Sequence, residues 1–341
     1  MAVRLQDVAK QAGVSVKTVS NVVTGHVHVA PATRERVQAA IDILGYRPNL
    51  SARNLRHGRS GLIALALPEL DSPYFAELAR FVVQAAEEHG LTVLIDQTDG
   101  LADRERLVMA GFRSHLIDGL IMSPVGLGPT EIAEHDGHIP LVLLGEKVGA
   151  GSADHIAIDN VAAAREATEH LLALGRRRVG VVGNQADSPA GSGVARLRRQ
   201  GYEQALQWRG IAADPTLIAD VPTFGRKQGA DATARLLDSG ARPDALFCFN
   251  DILALGALRM LAERGLRVPS DVAVIGMDDI EDGRWSTPTL STIVPDKVEI
   301  ARCAVEMLLN RMGITGAMPS PARDVRAGFA LVARESTFGR T

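Results

Sequence analysis

Val16, Lys17 and Asn21 fall on the polar side of a short stretch with helical spacing, while Val19, Val22 and Val23 take the other side. Lys17 can donate to guanine O6 and N7, Asn21 can pair bidentately with adenine, and Val16 can touch a thymine methyl. That is the chemistry of a side chain set read against base edges in the major groove. Around it, Ser15, Thr18, Ser20, His28, Thr33 and Arg34 are short donors or cations suited to phosphates, which fix register without reading sequence. An ordinary three-helix bundle accounts for the same pattern, so on spacing alone both readings stand.

Elsewhere the residue types that carry catalysis lack the spacing it requires. Gly191 and Gly193 begin a Gly-x-Gly-x-x-Gly run, but Arg196 occupies the place of the third glycine. No Walker loop, nucleophile elbow or His-Glu-x-x-His run occurs. His135 and His138 form an isolated pair before Pro140 and read as a solvated turn, so no metal is expected. Cys248 and Cys303, the only cysteines, sit among apolar neighbours and read as buried core thiols rather than nucleophiles or disulfide partners. A nucleotide-using oxidoreductase and a sugar carrier are the competing classes; the broken glycine run opposes the first and the basic head described next opposes the second. The expectation is a binding protein with neither enzymatic activity nor a cofactor.

The elements that would position these residues divide the chain in two. From Leu5 to about Leu44 the apolar residues recur at helical spacing, and Gly13, Ser15, Pro31 with Thr33, and Gly45 punctuate three short helices. Residues 1–58 hold eight basic and three acidic side chains, a local charge of +5 in a chain whose formal net charge is -3. A basic head on an acidic body suits a protein that meets phosphates at one end. From Gly61 onward, strand-length apolar runs alternate with amphipathic helical stretches: Leu62–Leu67, Leu91–Ile95, Gly119–Met122, Pro140–Leu144, His155–Ile158, Arg178–Val182, Ala245–Phe249 and Val272–Gly276. Continuous apolar strands imply parallel sheets covered on both faces. So long a winding exceeds one sheet, which predicts two lobes with a ligand crevice at the strand carboxyl ends. No apolar run reaches the roughly 18 to 20 residues of a membrane span, and the segment around Arg4, Asp7 and Lys10 lacks the apolar core of a signal peptide, so a soluble cytoplasmic protein is expected.

Five blocks in order, Asp7-Val8-Ala9, Ala12-Gly13-Val14-Ser15, Thr18-Val19-Ser20, Thr33-Arg34-Glu35-Arg36-Val37 and Gly45-Tyr46-Arg47-Pro48-Asn49, resemble the lactose-repressor (LacI/GalR) family. The resemblance continues through Asp71-Ser72-Pro73-Tyr74-Phe75, Phe249-Asn250-Asp251 and Gly276-Met277-Asp278-Asp279. It implies an all-α helix-turn-helix head over residues 1–48 and a hinge or linker over 49–60. The remainder, 61–341, would be an α/β two-lobed periplasmic-binding-protein-like core with Rossmann-like parallel sheets. Within it, the first lobe is expected at 61–159 and 293–320 and the second at 160–290 and 321–341. The resemblance also implies that Ala52 and Leu55 lie in a hinge helix, with Leu55 wedged into the minor groove to kink the duplex; Leu55 as a plain linker anchor is the alternative. Asn21 stands where the family often carries arginine, and Ala30 where it often carries serine.

The core motifs lie just past strand ends, where an open α/β sheet presents ligand groups. Tyr74, Phe75 and Phe224 are candidates to stack on a sugar or base ring, and Arg198, Asn250, Asp251 and Asp278 to hydrogen-bond its polar groups. Phe75 as core, Asp251 as a helix cap and Trp285 as surface or interface are the structural alternatives. Where many relatives carry an acid after Ile139-Pro140, this chain has Gly145 followed by Glu146. The expected function is a transcriptional regulator, in the repressor sense, that binds a palindromic double-stranded operator as a homodimer or larger assembly. A small-molecule effector controls it, sugar-like first and purine-like second.

Overall fold

In the computed structural model the described residues are 3–23, 28–46, 59–110, 116–134, 139–146, 153–185, 193–315 and 321–338. They belong to two units, Met1–Ser60 and Gly61–Thr341. The first carries α1 (Leu5–Ala12), α2 (Val16–Val23) and α3 (Pro31–Leu44). Gly13 and Gly45 take left-handed backbone at φ 65° and 61°, ending α1 and α3 where a side chain would be strained. Val8, Val19 and Val37, one from each helix, are fully buried and make the shared core. Ala30 precedes α3 with no side chain to cap it.

The second unit contains, in order, β1 (Leu62–Leu67), α4 (Pro73–Glu87), β2 (Thr92–Gln97), α5 (Ala102–Met109), β3 (Gly119–Met122), α6 (Pro129–Ala133), β4 (Leu141–Leu144), β5 (Asp154–Ile158) and α7 (Asn160–Ala173). There follow β6 (Val179–Asn184), α8 (Gly193–Trp208), β7 (Ile218–Asp220), α9 (Arg226–Asp238), β8 (Ala245–Cys248), α10 (Asp251–Glu263) and β9 (Ala273–Met277). The last elements are α11 (Glu281–Trp285), β10 (Ser291–Pro295), α12 (Lys297–Arg311), β11 (Asp324–Ala327), β12 (Phe329–Val332) and α13 (Glu335–Phe338). Two sheets result, with strand orders β11-β5-β4-β3-β1-β2 and β12-β10-β9-β8-β6-β7. Every pairing is parallel except β10 with β12. All eight expected strands are present, within a residue or two at each end. Their fully buried runs, such as β4 and β8, reflect helices covering both faces.

The chain passes between the sheets three times, after β5, after β10 and between β11 and β12. Two expected lobe boundaries are corrected by this. Ser291–Pro295 pairs with β9 and so belongs wholly to the second lobe, placing that crossing after Pro295 rather than at 293. Asp324–Ala327 pairs with β5 in the first sheet, although 321–341 was expected to lie in the second lobe. β11 is a short edge strand bearing Asp324 and Arg326, with one buried residue, so it lacks the apolar run that betrays a strand. Cys303 is only half-buried, against the expectation of a core thiol, because it lies on the outer flank of α12; Cys248 in β8 is buried as expected. Among the described residues no helix is long and apolar enough to cross a membrane.

α7 and α8 pack directly against each other, and their close approach is set at Gly201. A Cβ there would collide with the Val161 carbonyl oxygen and lie 2.8 Å from Ala164 Cβ. Gly201→Ala is therefore expected to push the helices apart and lower stability by about 1 to 3 kcal/mol. Thermal unfolding of the full chain measures it, and an unchanged midpoint would show that the two helices can separate freely.

Candidate functional site

In the head, Ser15 caps α2: its Oγ accepts the Thr18 amide at 3.1 Å and lies 2.8 Å from Thr18 Oγ1. Two of the expected phosphate donors are thus also local structural partners. Val16, 42% exposed, and Lys17 point outward on the helix whose Val19 and Val22 are buried, while Ser20 and Asn21 are half-buried. His28 is exposed, and Thr33 and Arg34 lie half-buried in the first turn of α3. Ala52 and Leu55, together with His135 and His138, lie outside the described residues.

A second candidate site is a cavity of about 330 Å³ between the two lobes of the core. Tyr74 and Phe75 enter it from the start of α4 in the first lobe, and Phe224 from the second. Tyr74 and Phe75 pack edge to face, ring centroids 5.2 Å apart, which fixes the first wall. Phe75 also packs against the core, so it serves both roles considered for it. Asn250 lines the cavity and caps α10, its Oδ1 accepting the Leu253 amide at 2.9 Å.

Arg198 is the centre of the polar wall. It is 7% exposed, and its Nε donates to Asn160 Oδ1 at 2.7 Å while Nη1 donates to the Phe249 carbonyl. Its Nη2 lies 4.0 Å from Asp278 Oδ1. Asn160, at the head of α7, donates from its Nδ2 to Glu146 at the end of β4. A connected chain Glu146, Asn160, Arg198, Asp278 thereby runs from the first lobe to the second. Burial lowers the Arg198 guanidinium from its ordinary value, and Asp278 opposes that shift. Burial likewise raises the Glu146 carboxyl, partly offset by Asn160 and Arg326. Tyr74's phenol is pushed up by burial and then by the Asp278 charge. Among the described residues, no donor lies within hydrogen-bond distance of the Asp278 carboxylate, which faces the cavity.

Asp251 does not line the cavity, and the expectation that it contacts a ligand is corrected. It is fully buried, with Oδ1 accepting the Thr292 hydroxyl at 2.7 Å and Oδ2 accepting the Ile280 amide at 3.0 Å. A Cβ on Gly276 would collide with Asp251 Oδ1, so glycine is required for this carboxyl to reach under the loop after β9. Burial, then the neighbouring Asp278, push it up to about 8. It supports the loop that holds Asp278. Its neighbour Asn250 fills the capping role, because the first helical residue is already Asp251. Glu146 and Asn160 are among the polar cavity residues not assigned from sequence, and they are the two that join the Arg198 chain. Both follow directly on parallel strands, the position that exposes ligand groups, and that signal was available.

Residues 4–49 match the family described as bacterial regulatory proteins, lacI family, and residues 168–337 match the periplasmic binding protein-like domain. The HTH-type transcriptional repressor CytR of Escherichia coli (strain K12) is 34% identical over 312 residues, covering 91% of this chain and 90% of its own length. The lac repressor dimer bound to operator and the anti-inducer ONPF superposes with a TM-score of 0.84 at 28% identity, covering 99% of each chain. The transcriptional regulator CelR in complex with cellobiose superposes with a TM-score of 0.71 at 30% identity, covering 98% of this chain and 99% of its own.

The Asp278 carboxyl yields a measurement that needs no ligand. Burial raises it to about 6, with Arg198 and Lys297 pulling it down and Glu77 pushing it up. The folded carboxyl holds its proton more tightly than the unfolded one, so this group adds stability as pH falls from about 6 toward 4 and removes it as pH rises through 6. Asp278→Asn mimics the protonated form. It removes this titration, so the stability of the variant relative to the wild type is expected to move in the variant's favour as pH rises from 4 to 7.5. Thermal unfolding at both pH values checks this; an equal effect at both would mean that charge is not what Asp278 contributes.

Proposed function

We propose how this chain, which belongs to the LacI family of bacterial regulatory proteins and is a transcriptional repressor of that family, joins operator binding to an effector. Its α2 reads base edges through Val16, Lys17 and Asn21, with phosphates held by the surrounding short donors. A two-fold pair of chains reads a palindrome, since one recognition helix covers only a half-site. The cavity between the core lobes takes a hydroxyl-rich small molecule, a sugar or sugar derivative. The observation that carries this is the Asp278 carboxylate, buried to 6% exposure, facing the cavity and 4.0 Å from Arg198. A buried carboxylate whose cation partner stands beyond hydrogen-bond reach favours a ligand that brings hydroxyl or amine hydrogens. Glu146 and Asn250 add acceptors along the same wall. The complex of the relative CelR with cellobiose supports the sugar class.

A second reading has one observation behind it. Phe75 and Phe224 line the cavity from different lobes, and two aromatic faces suit a planar ring such as a purine. In either case the effector changes the relation of the lobes, and residues 49–60 carry that change to the DNA-binding head, with Leu55 inserted at the operator centre.

Selection of random duplexes on the purified full chain is expected to return a palindrome; recovery of no enriched sequence would end the operator reading. Asn21→Ala is expected to relax preference at one symmetric pair of positions, costing roughly 1 to 3 kcal/mol. An unchanged selected motif would remove Asn21 from the base-reading set. Thermal shift with a panel of sugars and purines separates the two effector readings. The responding compound is expected to lose its effect in Arg198→Ala and Asp278→Ala, and a shift that survives both replacements would place its site elsewhere.

A further inference from the structure

We propose that Lys297 is a positioning residue of the cavity: its ammonium fixes the backbone that presents Asp278 and ties that backbone to the first lobe. The proposal rests on the cavity being the effector site.

Lys297 is the first residue of α12, placed just where the chain leaves β10 of the second sheet for a helix that packs on α4 of the first lobe. It is 7% exposed. Its Nζ donates to the Asp278 carbonyl at 2.8 Å, to the Asp279 carbonyl at 3.3 Å and to the Glu77 carboxylate. An ammonium has three donors, and all three are used. Glu77 and Tyr74 occupy adjacent positions on one face of α4, and the Nζ also lies 5.7 Å from the Tyr74 ring centroid. The other Glu77 oxygen accepts the Glu281 amide at 3.4 Å. The ammonium therefore touches both walls of the cavity at once: the aromatic wall through Tyr74, and the carboxylate wall through the peptide of Asp278.

The segment it holds needs holding. Asp278 and Asp279 have φ of 123° and 49°, conformations that side-chain-bearing residues rarely adopt and that persist only under outside restraint. Restraints act from several directions, among them the Asp251 carboxylate, which accepts the Ile280 amide at 3.0 Å, and Thr292 Oγ1, which accepts the Asp279 amide at 3.4 Å. The Asp278 amide donates to the Ile293 carbonyl at 2.8 Å from the sheet side. The Asp279 carboxylate is gripped by Arg284 and Arg334. Among the described residues Lys297 alone donates a side-chain bond to the two carbonyls, and together with the Glu281 amide it ties the segment to Glu77 on the first lobe's α4. A molecule that bonds the Asp278 carboxylate from the cavity and the lysine that bonds its carbonyl from behind act on one residue.

Hydrogen exchange of the full chain tests this without any ligand. Lys297→Met keeps the aliphatic stem and removes the donors; it is expected to speed exchange of the amides of residues 278–281 at least tenfold while leaving β8 and α10 unchanged. Lys297→Arg is expected to restore part of the protection. Glu77→Gln keeps the lysine and weakens only the tie to α4, so it is expected to speed the same amides at least threefold and keeps the test available should Lys297→Met not fold. Unchanged exchange over 278–281 would overturn the proposal, and so would a rise spread across the whole second lobe. Calorimetric titration with cellobiose and with adenine forms the second arm. If the wild type binds either, Lys297→Met is expected to weaken that Kd at least tenfold, and an unaltered Kd would overturn the positioning role. If it binds neither probe, the effector reading is what suffers, and the exchange arm still decides on Lys297.

Discussion

The core is organised around the cost of keeping a guanidinium out of water. Arg198 is buried between the lobes, and a charge there persists only if it is fully matched. Its partners come from three separate strand ends: Asn160 after β5, the Phe249 carbonyl after β8 and Asp278 after β9. Asn160 in turn recruits Glu146 after β4. Each of these residues is useful only if the two sheets stand at one particular separation. Within the second lobe, the close approach of α7 and α8 at Gly201 fixes the helix that carries Arg198 against the helix that begins with Asn160. The polar wall therefore spans the lobes through Asn160 and Glu146, on a helix pair that is held rigid inside one of them.

The parts of this arrangement that could be read from the chain were those with strong local signals. Continuous apolar runs such as Leu141–Leu144 and Ala245–Cys248 declare buried parallel strands, and Gly13 and Gly45 declare helix ends. Arg198 and Asp278 stood out because a charge in an apolar context demands a partner. The edge strands β11 and β12 were illegible since an edge needs little apolar surface, and with them went the third crossing between lobes. Asp251 was assigned to the ligand because its sequence neighbourhood is that of a strand end, but a shift of one residue decides whether a side chain faces the cavity or the loop beneath it. Asn250 takes the first orientation and Asp251 the second. Glu146 and Asn160 do their work through one another across 14 positions in sequence, and no local pattern records such a pair.

The same geometry bounds what a ligand can do. A small molecule shifts an equilibrium between lobe arrangements only by the difference in its affinity for them. Contacts made to one lobe alone are kept in every arrangement and shift nothing, however strong they are. Leverage therefore belongs only to a ligand that meets both sides, and the cavity is lined from both: Tyr74, Phe75 and Glu146 in the first lobe, Arg198, Phe224 and Asp278 in the second. Asp278 has the largest share of it, because its backbone is already held in a rarely populated conformation and its carboxyl is already raised by burial. A ligand that brings hydrogens to that carboxyl offsets its burial cost directly, which a relaxed, solvated carboxylate would not offer.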